Sequence, residues 1–398
     1  MSEFTKHNKK RVDFIISLYN TISEKRNTVE TIKQNQHRID KVIPSDIIFA
    51  VDQLVRSNIP FDELKTGINK LLNILYATVK NSPYSEPLPD SYFDCCIKNN
   101  NELDKRLKSI RPLLKQLNKT PLDIKIRKQL ADIISGVLEY EKYYQIKENV
   151  IFPFIENQMD EYRCLQLMWS FHDDIRRNLK DLNQHLLAEK IELKPVNRLF
   201  GDIFFNMYAI IFREERILFP FMEEITKADD LNSLFKDSLE IGFPYYTPVV
   251  KTGEEQSSDQ VDLHNINLKS GNLTAEQIVL LFNHLPVDIT FVDENNKVKF
   301  FSTPKKRIFP RTNAIIGRDV HNCHPPESVH VVEEIIEAFK SGKKDKASFW
   351  IRIKGELILI RYFAMYDLEG NYKGVIEVSQ EVSEIQGLEG EKRLLDWT

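Results

Sequence analysis

Cysteine and glycine are scarce in this chain of 398 residues, and neither sign of charge predominates. Its four cysteines show no disulfide-framework spacing, which suits a reducing compartment and excludes a small disulfide-rich scaffold. There are 55 basic and 59 acidic residues, a formal net charge of −4. We therefore expect neither a nucleic-acid partner nor attraction to an acidic membrane surface.

Long apolar segments are also lacking. The most apolar run, residues 199–212, is interrupted by Gly201, Asp202 and Asn206 and is too short to span a bilayer. The first residues contain no apolar segment of the kind found in signal peptides. The sequence therefore predicts a cytoplasmic protein without a membrane span.

The thirteen glycines are distributed unevenly, with four in residues 1–250 and eight in residues 271–398. Few glycines with a 3.6-residue apolar period predict helices, whereas frequent glycines with alternating apolar residues predict strands and turns. Between the two parts lies a polar, aperiodic stretch typical of a linker. We predict the following domains: 1–85 helical, 86–247 a four-helix bundle, 248–272 a linker, and 273–398 an α+β domain.

The bundle prediction comes from four long helical patterns joined by short connections, which suit an antiparallel arrangement. They cover about 91–118, 122–157, 160–188 and 196–225. An internal repeat supports it, because Lys147–Glu156 resembles Arg213–Glu223 and both contain an acidic residue shortly before Phe-Pro. With Glu148 aligned to Glu214, the offset is 66 residues, so we expect these glutamates at corresponding places on two helices.

The repeated Phe-Pro ending, together with Met168–Arg176 (Met-Trp-Ser-Phe-His-Asp-Asp-Ile-Arg), resembles a hemerythrin-like (HHE) cation-binding domain. The resemblance implies a histidine-rich di-iron site inside the bundle. Residues 91–240 hold only His172 and His185, however, and Tyr143 and Tyr144 stand where that family has a histidine. We therefore favour a degenerate bundle and regard di-iron as the less favoured cofactor. The candidate metal ligands are His172, Glu148, Glu214 and Asp173; alternatively, His172 is an ordinary helix residue paired with a nearby acid.

The C-terminal part predicts the order β-β-α-β-β-β after a short helix at Leu273–Leu285. This gives an antiparallel five-stranded sheet with helices across one face. The predicted strands are 287–292, 297–301, 347–353, 356–366 and 373–382, and the helix between the second and third is Ser328–Ser341.

Four segments of this part resemble one subfamily of PAS domains: Leu285–Asp293, Lys306–Thr312, Gly317–Pro326 and Leu388–Trp397. In that subfamily the PAS domain follows a hemerythrin-like bundle and an N-terminal helical domain of unknown function. The resemblance implies a sensor that binds haem, flavin or a small metabolite, or a ligand-free module that mediates dimerisation.

The candidate cofactor site is the stretch Ile316–His330, which is rich in histidine. Its histidines and cysteine are too closely spaced for all of them to join one tetrahedral zinc site, so we read it as a ligand contact, with a solvated helix-entry loop as the alternative. Haem-binding PAS domains use a histidine on the central helix, and nearby arginines could hold a carboxylate or phosphate unless they only pair with acids at a strand edge. The candidates are His321, Cys323, His324, His330, Arg307, Arg311 and Arg318.

The sequence contains no kinase glycine-rich loop, P-loop or nucleophile elbow, so we predict a protein that is not an enzyme. Three hypotheses remain open. The favoured one is a PAS sensor that binds haem or a small organic ligand and signals through an unknown protein partner. The others are a metalloprotein that uses the bundle for oxygen or redox sensing, and a ligand-free scaffold; a homodimer fits all three.

Overall fold

The computed structural model describes residues 8–24, 28–57, 59–83, 86–248, 266–268 and 270–391. The chain forms two compact units, residues 1–249 and 250–398. Most of the predicted linker and the end of the Leu388–Trp397 motif lie outside the described residues. No helix in the described ranges is long and apolar enough to cross a membrane.

The N-terminal unit is helical. Its α-helices are α1 (Lys9–Ser23), α2 (Thr28–Gln34), α3 (Gln36–Ile39), α4 (Pro44–Val55), α5 (Phe61–Lys80), α6 (Tyr92–Lys119), α7 (Ile124–Leu138), α8 (Glu141–Ile146), α9 (Phe152–Gln158), α10 (Cys164–Leu187), α11 (Leu193–Arg213), α12 (Phe219–Ile225) and α13 (Ala228–Ile241). One apolar core runs through the unit from Val12 to Phe243. Subdivision of this unit near residue 85 stays a prediction.

Apolar periodicity in residues 8–80 predicts three helices, around Val12–Tyr19, at Ile47–Val55 and at Phe61–Val79. These correspond to α1, α4 and α5, whereas α2 and α3 were not predicted. Helix α1 approaches α5 closely where Tyr19 meets Gly67: a Cβ at Gly67 would lie 2.4 Å from the tyrosine ring. Ser45 and Asp46, which the sequence suggests as caps of a helix over Ile47–Val55, instead lie inside the first turn of α4. Helix α4 begins at Pro44, and the Asp46 carboxylate accepts the backbone N–H of Ile43 from inside the first turn.

The four predicted long helices are confirmed as α6, α7–α9, α10 and α11–α12. Helix α7 packs against α6 and α10, and α10 packs against α11, as neighbours in a bundle do. The second and fourth helices are not continuous α-helices, however. Each contains a five-residue π-helical turn, Lys147–Ile151 and Glu214–Leu218, directly before Phe-Pro.

The π turns correct the predicted alignment of the repeat. The two turns, like the two prolines Pro153 and Pro220 that follow them, are 67 residues apart rather than 66. The reason is that Glu214 stands one residue farther from its proline than Glu148 does. The structural counterpart of Glu214 is therefore Lys147, and that of Glu148 is Glu215.

The C-terminal unit confirms the predicted sheet and helices. Its elements are β1 (Ile266–Asn267), β2 (Asn272–Leu273), α14 (Ala275–His284), β3 (Asp288–Asp293), β4 (Val298–Phe301), α15 (Val329–Lys340), β5 (Lys346–Ile353), β6 (Glu356–Tyr366), β7 (Tyr372–Glu381) and α16 (Ser383–Gln386). Strands β3 to β7 form one antiparallel sheet in the order β4-β3-β7-β6-β5. The sequence suggests Thr274 or Asn272 as the cap of this helix, and in the structure Thr274 caps α14 through a capping box with Gln277.

The sheet register places a polar row in the middle of one face. Glu377 of β7 lies between Thr290 of β3 and Tyr362 of β6. Two positions earlier on β7, Val375 pairs with Val292 of β3. Because strand residues two positions apart share a face, apolar and polar side chains meet on the same side of the sheet.

Candidate functional site

A cavity of about 310 Å³ lies between α15 and one face of the five-stranded sheet. Its walls are mainly apolar, and four polar side chains enter it. The apolar lining is Val292, Val320, Val331, Val332, Ile335, Ile336, Phe349, Ile360 and Val375, and the polar lining is His324, Ser328, Tyr362 and Glu377. A mostly apolar hollow with a few polar groups is the usual form of a small-molecule site.

Local sequence places His324 in this cavity. Asp319 caps a short 3₁₀ turn, Val320–Cys323, by accepting the backbone N–H of His321 at 3.1 Å. The chain then extends through His324, and Pro325-Pro326 precede α15. Since proline restricts the residue before it to extended conformations, the dipeptide holds His324 out of the helix.

Two of the four polar side chains of the cavity, His324 and Tyr362, are neutral around pH 7. Burial, together with the charges of Arg311, His321 and Arg318, lowers the pKa of His324 to about 4. Burial, with the nearby Glu377 carboxylate, raises the pKa of the Tyr362 hydroxyl. A neutral imidazole and a neutral phenol can both donate and accept hydrogen bonds, so these two side chains can orient a ligand without balancing a charge.

The other predicted residues of the loop lie outside this cavity lining. The Nδ1 atom of His321 is 2.5 Å from Asp319 Oδ1, and this partner raises the pKa of the histidine. Cys323 packs against a small apolar cluster and directs its Sγ to the backbone oxygen of Asp319 at 3.6 Å. His330 is exposed on the first turn of α15.

The three predicted arginines are likewise absent from the lining of the 310 Å³ cavity. Arg307 donates from Nε to the backbone oxygen of Phe309 at 2.6 Å, and the same Nε lies 3.8 Å from Asp288 Oδ2. These two contacts hold the loop that contains Arg307. Arg307 also lines a wider groove of about 700 Å³ that contains both acids and bases. Arg311 donates to the oxygen of Pro310 at 3.2 Å, and Arg318 is buried.

In the N-terminal unit, the structure brings His172 and Glu148 together in the bundle. Their Nδ1 and Oε1 atoms are 2.8 Å apart, and the His172 side chain is fully buried. Burial, with Lys147 and Arg176 nearby, lowers the pKa of His172 well below its usual range, so the neutral ring donates its Nδ1 proton. Arg176 binds both oxygens of Glu148 at 2.9 Å, and it holds Asp173 at 2.7 Å.

Glu214 forms a second buried cluster. Lys147 donates from Nζ to Glu214 Oε2 at 2.8 Å, and both side chains are 0% exposed. The hydroxyl of Tyr143 donates to the other carboxylate oxygen. The ammonium also faces aromatic rings, with Nζ 4.5 Å from the ring centre of Tyr143 and 5.1 Å from that of Tyr144.

These contacts do not form a metal centre. Among the described residues, no group of three or more histidine, cysteine or acidic side chains is placed to hold a metal ion. Each predicted carboxylate is instead neutralised by a side-chain cation: Glu214 by Lys147, and Glu148 and Asp173 by Arg176. The three carboxylates predicted as metal ligands are thus engaged in ion pairs with side-chain cations.

Two buried polar atoms in this region, His172 Nε2 and Tyr144 Oη, have no hydrogen-bond partner within the described part of the chain. The two rings stack with centroids 4.2 Å apart. Sequence reasoning missed Lys147 and Arg176, although both carried a signal. Lys147 directly precedes Glu148, and Arg176 lies one helical turn after His172, where it shares a helix face with that residue.

Comparisons with known proteins support the reading of the C-terminal unit. A family model described as a PAS domain matches residues 278–383, which confirms the predicted PAS domain. None of the curated proteins matches the chain.

Three solved structures are similar to part of this chain. The C-terminal domain of a protein from Streptococcus mutans has 30% identity and a TM-score of 0.31, over 32% of this chain and 98% of that one. A PAS domain from Colwellia psychrerythraea has 17% identity and a TM-score of 0.22, over 27% and 97%. A sensory box sensor histidine kinase from Vibrio cholerae has 13% identity and a TM-score of 0.21, over 27% and 91%.

Proposed function

We propose that the PAS domain of residues 278–383 is a sensor that binds a small organic molecule between α15 and the sheet and signals through protein contacts. The observation that supports this is the 310 Å³ cavity, with apolar walls and four converging polar side chains. A ligand there would touch α15 and strands β3, β5, β6 and β7 at once. Its binding energy would therefore depend on how the helix lies against the sheet.

The cavity chemistry favours a neutral, largely apolar ligand with one or two hydrogen-bonding groups. His324 and Tyr362 are the neutral groups that would orient it, and Ser328 adds a hydroxyl. The volume lies near the lower end of the roughly 300–1,000 Å³ range of ligand sites, which favours a compact molecule over haem. Haem with His324 as the iron ligand is the alternative.

The test is native mass spectrometry and absorption spectroscopy of the full-length chain purified without a metal-affinity tag. We expect the mass spectrum to show a small organic molecule bound to the chain, and the absorption spectrum to show no Soret band. Binding of added probes, indole and quinoline, is then measured by ligand-observed NMR. Val332→Phe should fill the cavity and abolish probe binding, whereas Glu334→Gln, on the exposed side of α15, should preserve it.

Each contrary result has a definite meaning. A Soret band that is lost in His324→Ala would replace the small-ligand proposal by a haem sensor. If no small molecule co-purifies and no probe shows binding that Val332→Phe removes, ligand sensing is refuted. The ligand-free scaffold is then favoured.

A further inference from the structure

Arg213 is a buried cation whose hydrogen-bonding capacity is only partly used. It is the last residue of α11 and is 7% exposed. Its NH2 group donates to Asn69 Oδ1, and the guanidinium carbon lies 4.3 Å from the ring centre of Phe171. The N–H donors at Nε and NH1 have no hydrogen-bond partner among the described residues.

This arrangement is costly in the unliganded protein. Burial lowers the pKa of Arg213 to about 10, so the side chain remains charged at neutral pH. Burial is the sole cause of that shift, and no acid of the described residues offsets it. Removing a charge from water without a counter-ion is unfavourable, and unsatisfied donors add to the cost. An anion beside Arg213 would remove both costs.

A cavity of about 400 Å³ adjoins this arginine where α5, α6 and α11 meet. Five of the eleven residues that line it are aromatic, and two are asparagines. Its lining is Asn69, Leu72, Asn73, Tyr76, Arg111, Phe204, Phe205, Tyr208, Ala209, Phe212 and Arg213. The lining contains two arginines and no carboxylate, so its own charge favours an anion.

The wall is preformed rather than collapsed. Tyr76 and Phe212 lie with ring centroids 4.6 Å apart, and the guanidinium of Arg111 lies 5.8 Å from the ring centre of Tyr208. The hydroxyl of Tyr208 is held by Asp104 Oδ1 at 3.0 Å. Packed rings next to cationic groups suit a flat ligand that has an apolar ring and a negative end.

We propose that this cavity binds a small aromatic carboxylate, whose carboxylate group pairs with Arg213 while its ring packs against the aromatic wall. The single charge of a carboxylate matches the one buried guanidinium, and Arg111 at the exposed rim attracts the anion. This site is in the N-terminal unit and does not depend on the PAS cavity.

The experiment is isothermal titration of the full-length chain with benzoate, phenylacetate and indole-3-acetate. Benzamide serves as the neutral analogue of benzoate, and inorganic phosphate as the non-aromatic anion. We expect saturable 1:1 binding of at least one carboxylate and none of benzamide or phosphate. Arg213→Met should weaken binding at least tenfold and Arg111→Gln by less. Arg198→Met, an exposed position of the same helix, should leave it unchanged.

Melting temperature separates a binding role from a structural one. Because Arg213 lacks a counter-ion, Arg213→Met should leave the melting temperature unchanged or raise it while binding is lost. A lowered melting temperature of Arg213→Met would instead indicate that Arg213 has a structural role in the core. If Arg213→Met does not fold, two other results test the proposed site: the effect of Arg111→Gln on binding, and the difference in binding between benzoate and benzamide. No carboxylate binding, equal binding of benzamide, binding of phosphate alone, or binding unaffected by either arginine variant would overturn the proposal.

Discussion

Breaking the buried ion pair between Lys147 and Glu214 should destabilise the helical unit strongly. The pair joins Nζ to Oε2 at 2.8 Å with both side chains 0% exposed, so solvent cannot stabilise a partner left alone. Loss of one member of such a pair costs about 3–5 kcal/mol of unfolding free energy. We expect Lys147→Met to fall in that range.

The two single variants should differ in a defined direction. Lys147→Met leaves a buried carboxylate that keeps only the hydroxyl of Tyr143 as a donor among its described contacts. Glu214→Gln leaves an ammonium that still faces tyrosine rings and has an amide oxygen nearby. Lys147→Met should therefore be the more destabilising change. The double variant should cost less than the sum of the single ones, with a coupling of about 2–3 kcal/mol.

The assay is urea unfolding of the full-length chain with Trp350→Phe and Trp397→Phe in the background, so that Trp169 in the helical unit is the remaining tryptophan. The exposed pair Arg198–Asp202, whose closest atoms are 3.8 Å apart, serves as the control. Its coupling should be at most about 1 kcal/mol. Additive effects of Lys147→Met and Glu214→Gln, or a coupling no larger than that of the control pair, would contradict the argument.

Two further predictions concern packing and pH. Gly67→Ala should lower the melting temperature by an amount equivalent to about 1–3 kcal/mol, because its Cβ would meet the Tyr19 ring, while Gly201→Ala, with nothing within 4 Å, should raise it. A melting temperature for Gly67→Ala at or above that of the wild type would contradict the close approach of the two helices. His324 has a pKa lowered to about 4, so its stabilising contribution is present above its unfolded-state pKa near 6.5 and is lost as the pH falls from there towards 4. The free energy of unfolding, measured with urea at pH 7, 6 and 5, should fall less steeply with decreasing pH in His324→Asn than in the wild type, by up to about 1.4 kcal/mol per pH unit. Equal slopes would refute the lowered pKa of His324.

Periodicity located the regular elements because it reports which side of an element is buried. The apolar repeat of residues 91–240 predicted the bundle helices, and alternation in residues 287–382 predicted the five strands. The π turns at Lys147 and Glu214 were missed, because a one-residue change in helix pitch leaves the apolar stripe almost intact. The error in the alignment of the repeat has another cause, because Glu214 stands one residue farther from Pro220 than Glu148 does from Pro153.

The sites were less predictable because their members are distant in the sequence. His324 was found because it belongs to a dense local motif. Tyr362 and Glu377 join it only through the sheet register, which pairs β6 with β7. Arg213 carried no local signal, since its importance comes from the missing counter-ion, and this is visible only when the neighbouring helices are in place.

The opposite charges of Lys147 and Glu214 at equivalent positions have a consequence for assembly. A bundle made of two half-units could also form by exchange of halves between chains, and identical halves could then pair with each other. Two first halves would bring two lysines together in a dry interior, and two second halves would bring two glutamates together. Each homotypic combination would bury like charges, so the ion pair would favour the complementary combination over either homotypic one.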